Sequence, residues 1–159
     1  MPMNITIRKA TIADVPQIRK LVEGLALFEK APHEVTVSVE EFTRDGFGEN
    51  AIYKSCVAET NGSIVGFCLF YTAYSTWKGK IVYLDDLFVE EAYRQYGIGK
   101  KLIDEVVKYA QEINANQVRW SVLEWNENAI NFYKKLQVEF DAEWIVCRLN
   151  KQQINNYTV

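Results

Sequence analysis

The sequence predicts an α/β fold with a mixed β-sheet, and two observations support this prediction. A buried strand pattern at 81–89, a Gly-containing loop at 94–99 and an amphipathic helix pattern at 100–113 follow one another along the chain. Because a strand–helix–strand connection is right-handed and parallel, this order predicts a parallel pair of strands. Asn61-Gly62 between two apolar runs is typical of an antiparallel hairpin. We therefore expect a mostly antiparallel central sheet that contains a parallel strand–helix–strand core and is flanked by helices.

The elements before the hairpin have clear boundary signals. Residues 4–8 alternate isoleucine with polar residues, which predicts a first strand. The Thr-x-x-Asp sequence at 11–14 is a helix start signal, and the helix is expected to end at 31–33. A second, short helix is expected from Ser38 to 45–48. The two hairpin strands are expected at 53–59 and 63–71. After the helix at 100–113, a strand is expected at 118–123, a helix at 128–136 and a final strand at 140–149. The polar tail at 151–159 is expected to be loosely held.

The composition is that of a globular protein with a substantial core. The chain has 159 residues, of which 48% are hydrophobic and 13% aromatic, so a single domain over residues 1–159 is expected. The formal net charge is −3 and no basic run is present. Nucleic-acid binding is therefore not expected, because phosphate contacts need clustered Lys and Arg.

The sequence predicts a cytoplasmic protein that needs neither a membrane nor a metal. The longest apolar run, 64–73, is interrupted by Gly66 and falls short of the ~20 residues that span a bilayer. No signal-peptide pattern precedes the first strand. Cys56, Cys68 and Cys147 form no Cys-x-x-Cys pair, so a zinc site is not expected. The first two lie in apolar runs and are interpreted as core residues in a reducing compartment.

The loop at 94–99 has the chemistry of an anion site. It precedes a helix, whose N-terminus carries partial positive charge. Gly97 and Gly99 have no Cβ, so a phosphate can approach the backbone closely. A turn that needs positive φ would also explain these glycines. The spacing fits neither the Gly-x-Gly-x-x-Gly dinucleotide fingerprint nor the Gly-x-x-x-x-Gly-Lys-Ser/Thr phosphate loop.

These loop residues resemble the acyl-CoA pyrophosphate loop of the GNAT superfamily of N-acetyltransferases. The resemblance extends over about residues 5–136 and is most specific for the diamine (spermidine/spermine) and thialysine acetyltransferases. The segments that carry it are Ile7–Thr11, Phe28–Lys30, Asp45–Gly48, Tyr74–Lys80, Tyr83–Asp86, Arg94–Gly99, Glu124–Glu127 and Ile130–Lys134. The resemblance implies an enzyme that uses acetyl-CoA and forms a homodimer.

The resemblance also implies where acetyl-CoA binds. The backbone at 87–89 would bind the pantetheine arm and the thioester carbonyl, and the loop from Gln95 to Lys100 would bind the pyrophosphate. The implied cofactor-binding residues are Leu87, Phe88, Val89, Arg94, Gln95, Tyr96, Gly97, Ile98, Gly99, Lys100 and Asn126. Residues 87–89 can also be a plain core strand, and both interpretations can hold, because backbone groups bind while side chains pack.

Tyr133 and Asp85 are the implied catalytic residues. Tyr133 would donate a proton to the leaving thiolate, because a Tyr hydroxyl is protonated at pH 7; the alternative is a core aromatic of an amphipathic helix. Asp85 matches a family position that is usually Glu and takes the amine proton through water. Strict strand alternation predicts that Asp85 and Asp86 face opposite sides of the sheet. For either carboxylate a structural ion pair is the alternative.

The implied substrate is a small cationic amine. The implied substrate-binding residues are Phe28, Glu29, Asp85 and Glu143. The segment around Glu143 departs from the family pattern, since a glycine is absent and the preceding loop is shorter, so Asp141 or Glu139 could serve instead. His33 is interpreted as a surface residue.

The sequence therefore predicts acetyl transfer from acetyl-CoA to a primary amine of a small polyamine or of a lysine- or thialysine-like substrate. The segment Ser75–Gly79 is nearer the thialysine type. Two alternatives remain open. One is a GNAT enzyme that acts on a protein amine or an antibiotic amine. The other is a non-catalytic acyl-CoA-binding module.

Overall fold

The computed structural model describes residues 4–158 and separates into two compact units, Met1–Ser121 and Val122–Val159. The single domain expected from the chain length stays a prediction. Within residues 4–121 the strands are β1 (Thr6–Lys9), β2 (Lys54–Thr60), β3 (Ser63–Ser75), β4 (Gly79–Val89) and β5 (Gln117–Arg119). The α-helices there are α1 (Val15–Phe28), α2 (Val39–Phe47) and α3 (Ile98–Glu112), with short 3-10 helices at Ile12–Asp14, Pro32–Glu34 and Glu91–Tyr93. The second unit contains α4 (Glu127–Lys135) and α5 (Lys151–Asn155).

The sheet of the first unit has the strand order β1-β2-β3-β4-β5. The first four strands are antiparallel, whereas β5 runs parallel to β4, with Ile81–Tyr83 opposite Gln117–Arg119. Helix α3 connects β4 to β5, which is the crossover predicted from the sequence. The fold is therefore mixed α/β with a mostly antiparallel sheet, and the predicted fold class is confirmed.

Local signals in the sequence explain the boundaries of several elements. The Ser38 side chain accepts a hydrogen bond from the Glu41 N–H at 3.0 Å, and the Glu41 carboxylate accepts one from the Ser38 N–H at 3.1 Å. This reciprocal pair satisfies two free N–H groups at the start of α2. Between β2 and β3, Asn61 and Gly62 have φ of 49° and 76°, which are the positive values that a two-residue hairpin turn requires.

The sheet is covered by α1 on one face and by α3 on the other. On the α1 face, the helix residues Val15, Ile18 and Leu21 pack against Val57 and Phe67 of the strands, and all five are buried. We call this side the α1 face and the opposite side the α3 face.

The α3 face is closed by the apolar side of α3. Leu102 and Val106 have no exposed area, the Tyr109 ring lies 5.3 Å from the Phe70 ring, and the Cys68 thiol donates to the Leu102 carbonyl at 3.7 Å. Both faces of the sheet are therefore packed, as expected for a chain with this apolar content.

The predicted final strand at 140–149 is wrong. This segment has no regular secondary structure, and its residues are exposed. The Asp141 carboxylate accepts hydrogen bonds from the Glu143 N–H at 3.1 Å and from the Trp144 indole at 2.8 Å. A side chain that bonds the backbone two residues onward competes with strand pairing. The strand predicted at 118–123 is also shorter than expected, since β5 ends at Arg119.

Helix α5 lies in the tail that was expected to be loosely held. Asn150 accepts from the Gln153 N–H, and the Gln153 side chain accepts from the Asn150 N–H, each at 2.9 Å. This capping box starts a helix of five residues, although its side chains stay exposed. None of the helices in residues 4–158 is long and apolar enough to cross a membrane.

Candidate functional site

The end of β4 presents backbone groups on a side where it has no neighbouring strand. The Glu90 N–H donates to the Val65 carbonyl of β3 at 2.9 Å. Since successive strand residues direct their N–H and C=O to opposite sides, Val89 and Leu87 direct theirs away from β3. In the described chain, β5 pairs with β4 only at Ile81–Tyr83. An extended ligand arm can therefore add to this edge of β4 by main-chain hydrogen bonds.

The loop after β4 leads directly into the N-terminus of α3. Gln95 and Gly97 have φ of 68° and 75°, and no side chain caps the helix at Gly97. Ile98 is buried and fixes the first turn on the sheet. A Cβ at Gly97 would meet no atom within 4 Å, so the space beside this N-terminus is open. The first-turn N–H groups, including those of Ile98 and Gly99, can bind an anion there.

The structure confirms the turn as an explanation for the glycines of this loop, and the anion site stays a prediction. Gly97 has the positive φ that a turn needs, and it also leaves the approach to the helix N-terminus unobstructed. Of the other predicted loop residues, Tyr96 is 55% exposed. Lys100 is also exposed and forms an ion pair with Asp104 one helical turn later. The loop therefore presents mainly backbone N–H groups to an incoming anion.

A β-bulge interrupts the pairing of β4 at Asp85. Leu69 of β3 lies opposite Asp86 and Phe70 lies opposite Leu84, so Asp85 is an extra residue without a partner in the β3 register. A bulge of this kind locally redirects side chains. The strict alternation assumed in the sequence analysis therefore does not apply at this position.

The bulge places both aspartates on the α1 face. Tyr83 stacks on Tyr71 at 5.5 Å, and Tyr71 and Phe88 pack against the core on that face. Asp86 lies two residues before Phe88 and therefore shares its face. Asp85 lies close enough to raise the pKa of both Tyr71 and Asp86. The prediction that Asp85 and Asp86 face opposite sides is wrong, because it did not include the bulge.

Asp86 has the most strongly shifted carboxyl group of the site. Burial, followed by the negative charges of Asp85 and Glu29, raises its pKa to about 7. Burial also raises the pKa of Asp85, whose side chain keeps contact with solvent, and that of Glu29. None of these three carboxylates takes part in an ion pair within residues 4–158. We call Glu29, Asp85 and Asp86 the acidic cluster.

Glu29 stands at the C-terminal end of α1. Its backbone N–H donates to the Leu25 carbonyl at 2.9 Å, and it caps the helix. The C-terminus of a helix carries partial negative charge, so a carboxylate is unfavourable there unless a cation is nearby. The acidic cluster therefore has the electrostatics of a cation-binding site. Within the described range, no group of three or more His, Cys, Asp or Glu side chains is placed to hold a metal ion.

Arg94 lies between two aromatic rings. Its guanidinium carbon is 5.2 Å from the centroid of the Phe28 ring and 5.8 Å from that of the Phe88 ring. Its Nε donates to the Val89 carbonyl at 2.9 Å. This contact joins the last residue of α1, the end of β4 and the start of the loop.

The remaining predicted site residues lie in the second unit. Tyr133 is buried within α4, and its ring lies 5.3 Å from that of Phe132. The Asn126 side chain accepts from the Ala129 N–H at 3.2 Å and caps α4. Glu143 is exposed in the segment without regular structure. The first unit thus brings together the β4 edge, the loop and the acidic cluster, and the second unit holds these three residues.

Asp86 is the residue of the acidic cluster that the sequence analysis left out of the site. Two adjacent carboxylates in an otherwise apolar strand were the available signal, but strand alternation assigned only one of them to the site. His33 lies on the surface as predicted, 3.7 Å from Glu34.

Comparisons with known proteins agree with this arrangement of elements. Residues 20–137 match the family described as the acetyltransferase (GNAT) family. The chain is 43% identical to thialysine N-epsilon-acetyltransferase of Mus musculus, over 82% of this chain and 81% of the relative. It is 30% identical to spermidine/spermine N(1)-acetyltransferase-like protein 1 of Homo sapiens, over 93% of this chain and 23% of that protein. An aminoglycoside N-acetyltransferase in complex with CoA has the same fold, with a TM-score of 0.75, 18% identity and coverage of 94% and 97%.

Proposed function

The chain belongs to the acetyltransferase (GNAT) family and is an N-acetyltransferase, and from this premise we propose that it uses acetyl-CoA to acetylate a compact cationic amine. The substrate class is a lysine- or thialysine-like amine or a small polyamine. The observation that carries this proposal is the acidic cluster, in which Asp85 and Glu29 lie close enough to Asp86 to raise its pKa and none of the three carboxylates forms an ion pair within residues 4–158.

Acetyl-CoA would bind along the open edge of β4 and at the N-terminus of α3. The pantetheine arm pairs with the backbone of Leu87 and Val89, and the pyrophosphate receives N–H groups of the loop at Gly97 and Gly99. The orientation of those strand groups and the absence of a side-chain cap support this placement. The Val89 carbonyl already accepts from Arg94, so the arm is expected to use the Val89 N–H and the Leu87 groups.

The acidic cluster would bind the cationic amine and accept its proton. An alkylamine is almost wholly protonated at pH 7, so it arrives as a cation and must lose a proton before its nitrogen attacks the thioester. A carboxyl group with a pKa near 7 is well matched to this task, because a base works best when its pKa is close to the working pH. Asp86 has that pKa, and Asp85 remains the residue implied by family resemblance.

The chemical step is attack of the neutral amine nitrogen on the thioester carbonyl carbon. A tetrahedral adduct forms and its positively charged nitrogen releases a proton to solvent water, after which the carbon–sulfur bond breaks and CoA leaves as a thiolate. The Tyr133 hydroxyl is proposed as the proton donor to that thiolate. Acetylation removes the positive charge of the amine, so the product is bound less strongly by the acidic cluster and is released.

A homodimer is proposed as the functional assembly. The segment at 140–149 exposes Trp144, Ile145 and Val146 by 71%, 87% and 82%. Consecutive exposed apolar side chains are typical of interaction surfaces, and a second copy is the partner that the family resemblance implies.

The proposed location is the cytoplasm, which is supported by the two buried free cysteines, Cys56 and Cys68. Nucleic acid and membranes are not proposed as partners.

Release of the CoA thiol tests the proposed function. Purified protein is mixed with acetyl-CoA and, in separate reactions, thialysine, lysine, spermidine, putrescine, an aminoglycoside and a peptide with a free amine. We expect the highest kcat/KM for thialysine or lysine, followed by the polyamines. Preferential acetylation of the peptide or the aminoglycoside would replace the proposed substrate class. Binding of acetyl-CoA without turnover of any amine would favour a non-catalytic module.

A further inference from the structure

We propose that Arg94 is a positioning residue that holds the end of α1 beside β4 and thereby sets the affinity for the amine. This inference rests on the proposed function, and it assigns to Arg94 a role other than the cofactor contact implied by family resemblance. The relevant contacts are those of the guanidinium with Phe28, Phe88 and Val89.

The guanidinium is fixed on three sides by protein groups. Its two ring contacts at 5.2 and 5.8 Å fall within the ~6 Å over which a cation is attracted to an aromatic face. Its Nε–H is occupied by the Val89 carbonyl at 2.9 Å. The Arg94 backbone N–H donates to the Glu91 carbonyl at 3.2 Å, so the main chain of this residue is fixed as well.

The two rings belong to the two segments that carry the acidic cluster. Phe28 is the last residue of α1 and precedes Glu29, whereas Phe88 follows Asp86 by two residues on the same strand face. Arg94 therefore connects the backbone segment of Glu29 to that of Asp86. A shift of one ring relative to the other would change the spacing between the two carboxylates that attract the amine.

The packing beside Arg94 shows that α1 and β4 are in close contact here. A Cβ on Gly24 would lie 3.5 Å from two atoms of the Phe88 ring, so α1 approaches this ring without an intervening side chain. The end of α1 beyond Gly24 carries Leu27 and Phe28 with substantial exposure. Arg94 thus contacts a part of α1 whose side chains are partly exposed.

Arginine is required for this contact because of its shape. A planar guanidinium can present its faces to two rings while its Nε donates in the plane, whereas a lysine ammonium is a compact charge that cannot do both. Arg94→Lys keeps the positive charge near the loop and removes the stacked geometry. The substitution therefore separates a positioning role from a simple charge contact with the pyrophosphate.

Arg94→Lys and Phe28→Leu are compared with the wild type, singly and combined, and Arg44→Lys is the matched control. Arg44 is an exposed arginine paired with Asp45 and lies outside the site. We expect each single variant to raise the KM for thialysine by about 5- to 10-fold with a smaller change in kcat. The dissociation constant of acetyl-CoA should stay within about 2-fold. The double variant should be little worse than either single variant, because both remove the same contact.

Hydrogen–deuterium exchange provides a readout that does not depend on activity. Amides at 25–31 should exchange faster in Arg94→Lys and in Phe28→Leu than in the wild type. The amides of α3 should exchange at the wild-type rate in both variants. The positioning role is overturned if Arg94→Lys leaves that exchange and the amine KM unchanged while it weakens acetyl-CoA binding. If exchange at 25–31 rises but the wild type acetylates no amine, Arg94 still holds the end of α1, whereas the proposed function and the effect on amine affinity both fail. If Arg94→Lys does not fold, the hydrogen–deuterium exchange at 25–31 and the acetyl-CoA binding of Phe28→Leu decide the question by the same criteria.

Discussion

At the scale of single residues, the acidic cluster is the feature on which the proposed function most depends. Asp86 combines burial with two neighbouring negative charges, and its pKa rises to about 7. Such a group destabilises the folded state whenever it is ionised, unless a cation binds beside it. A residue that weakens the fold at neutral pH but suits a proton transfer is expected at an active site.

The stability of the protein should therefore depend on pH through Asp86. The pKa of Asp86 is higher in the folded than in the unfolded chain, so this group's contribution to stability falls as pH rises from about 4 to 7. Asp86→Asn should remove that loss and raise the Tm at pH 8 by about 2–6 °C, which corresponds to about 1–2 kcal/mol. At pH 4.5 the Tm values should nearly coincide. Thermal melts of both proteins from pH 4.5 to 8.5 measure this difference, and a variant that is less stable at pH 8 would contradict the assignment.

Tyr133 is a second residue whose proposed role can be separated from packing. Tyr133→Phe keeps the ring in α4 and removes only the hydroxyl that would protonate the thiolate. We expect kcat to fall roughly 10²-fold, as is usual for acid–base groups, with little change in acetyl-CoA affinity. Steady-state kinetics with thialysine give the result.

The matched control for this experiment is Tyr109→Phe. The Tyr109 hydroxyl lies 3.0 Å from that of Thr72, outside the site, so its removal should affect stability and leave turnover intact. Equal kcat values for Tyr133→Phe and the wild type would show that Tyr133 only packs.

At the scale of elements, the loop and α3 form the proposed anion site. Gly97 adopts a positive φ of 75°, and a Cβ there would point into open space. Gly97→Val should abolish the rise in Tm that acetyl-CoA gives to the wild type, because the side chain would obstruct approach to the helix N-terminus. Differential scanning fluorimetry with and without acetyl-CoA measures the effect.

Gly62→Val separates backbone strain from obstruction of the site. Gly62 has φ of 76°, and a Cβ there also meets no atom within 4 Å, but it lies in the β2–β3 turn. Both variants should lose similar stability, whereas only Gly97→Val should lose the response to acetyl-CoA. A folded Gly97→Val protein that responds normally would remove the loop from the site.

Elements with strong local signals were predictable from the sequence, and those that depend on tertiary contacts were not. The hairpin at Asn61-Gly62 and the start of α2 at Ser38 follow from turn and capping chemistry within a few residues. The bulge at Asp85 depends on how β4 pairs with β3, so a strict two-residue period misplaced one aspartate. The contact of Arg94 with the end of α1 joins residues distant in the chain, and no short motif encodes it.

The segment at 140–149 shows that an expected strand can also be absent when its tertiary contacts are missing. A final strand was expected in this apolar segment, but a strand forms only where a partner edge is available. Asp141 bonds the following residues instead and keeps the segment irregular. Glu143 was assigned to the substrate by family resemblance, and that assignment stays a prediction.

At the scale of the whole molecule, the proposed dimer depends on the exposed apolar side chains of this segment. Ile145→Glu, which places a charge at a side chain with 87% exposure, should shift the protein from dimer to monomer. The reason is that an unpaired buried charge at an interface is costly. Sedimentation velocity of the wild type and the variant measures the change, with Ile52→Glu, at 71% exposure in the first unit, as the control. A monomeric wild type would contradict the proposed assembly.

The pH dependence of kcat/KM for thialysine, measured for the wild type, Asp85→Asn and Asp86→Asn between pH 5.5 and 9.5, tests the role of the acidic cluster most directly. The kcat/KM of the wild type should rise with pH and level off near pH 7, where Asp86 becomes ionised and can accept the proton of the bound amine. Asp85→Asn should move that bend to lower pH, since it removes a negative charge that raises the pKa of Asp86. The pH profile of Asp86→Asn should lack the bend, and its kcat/KM should be roughly 10²-fold below that of the wild type at pH 7. A bend near pH 7 that both variants retain at the wild-type rate would contradict the account.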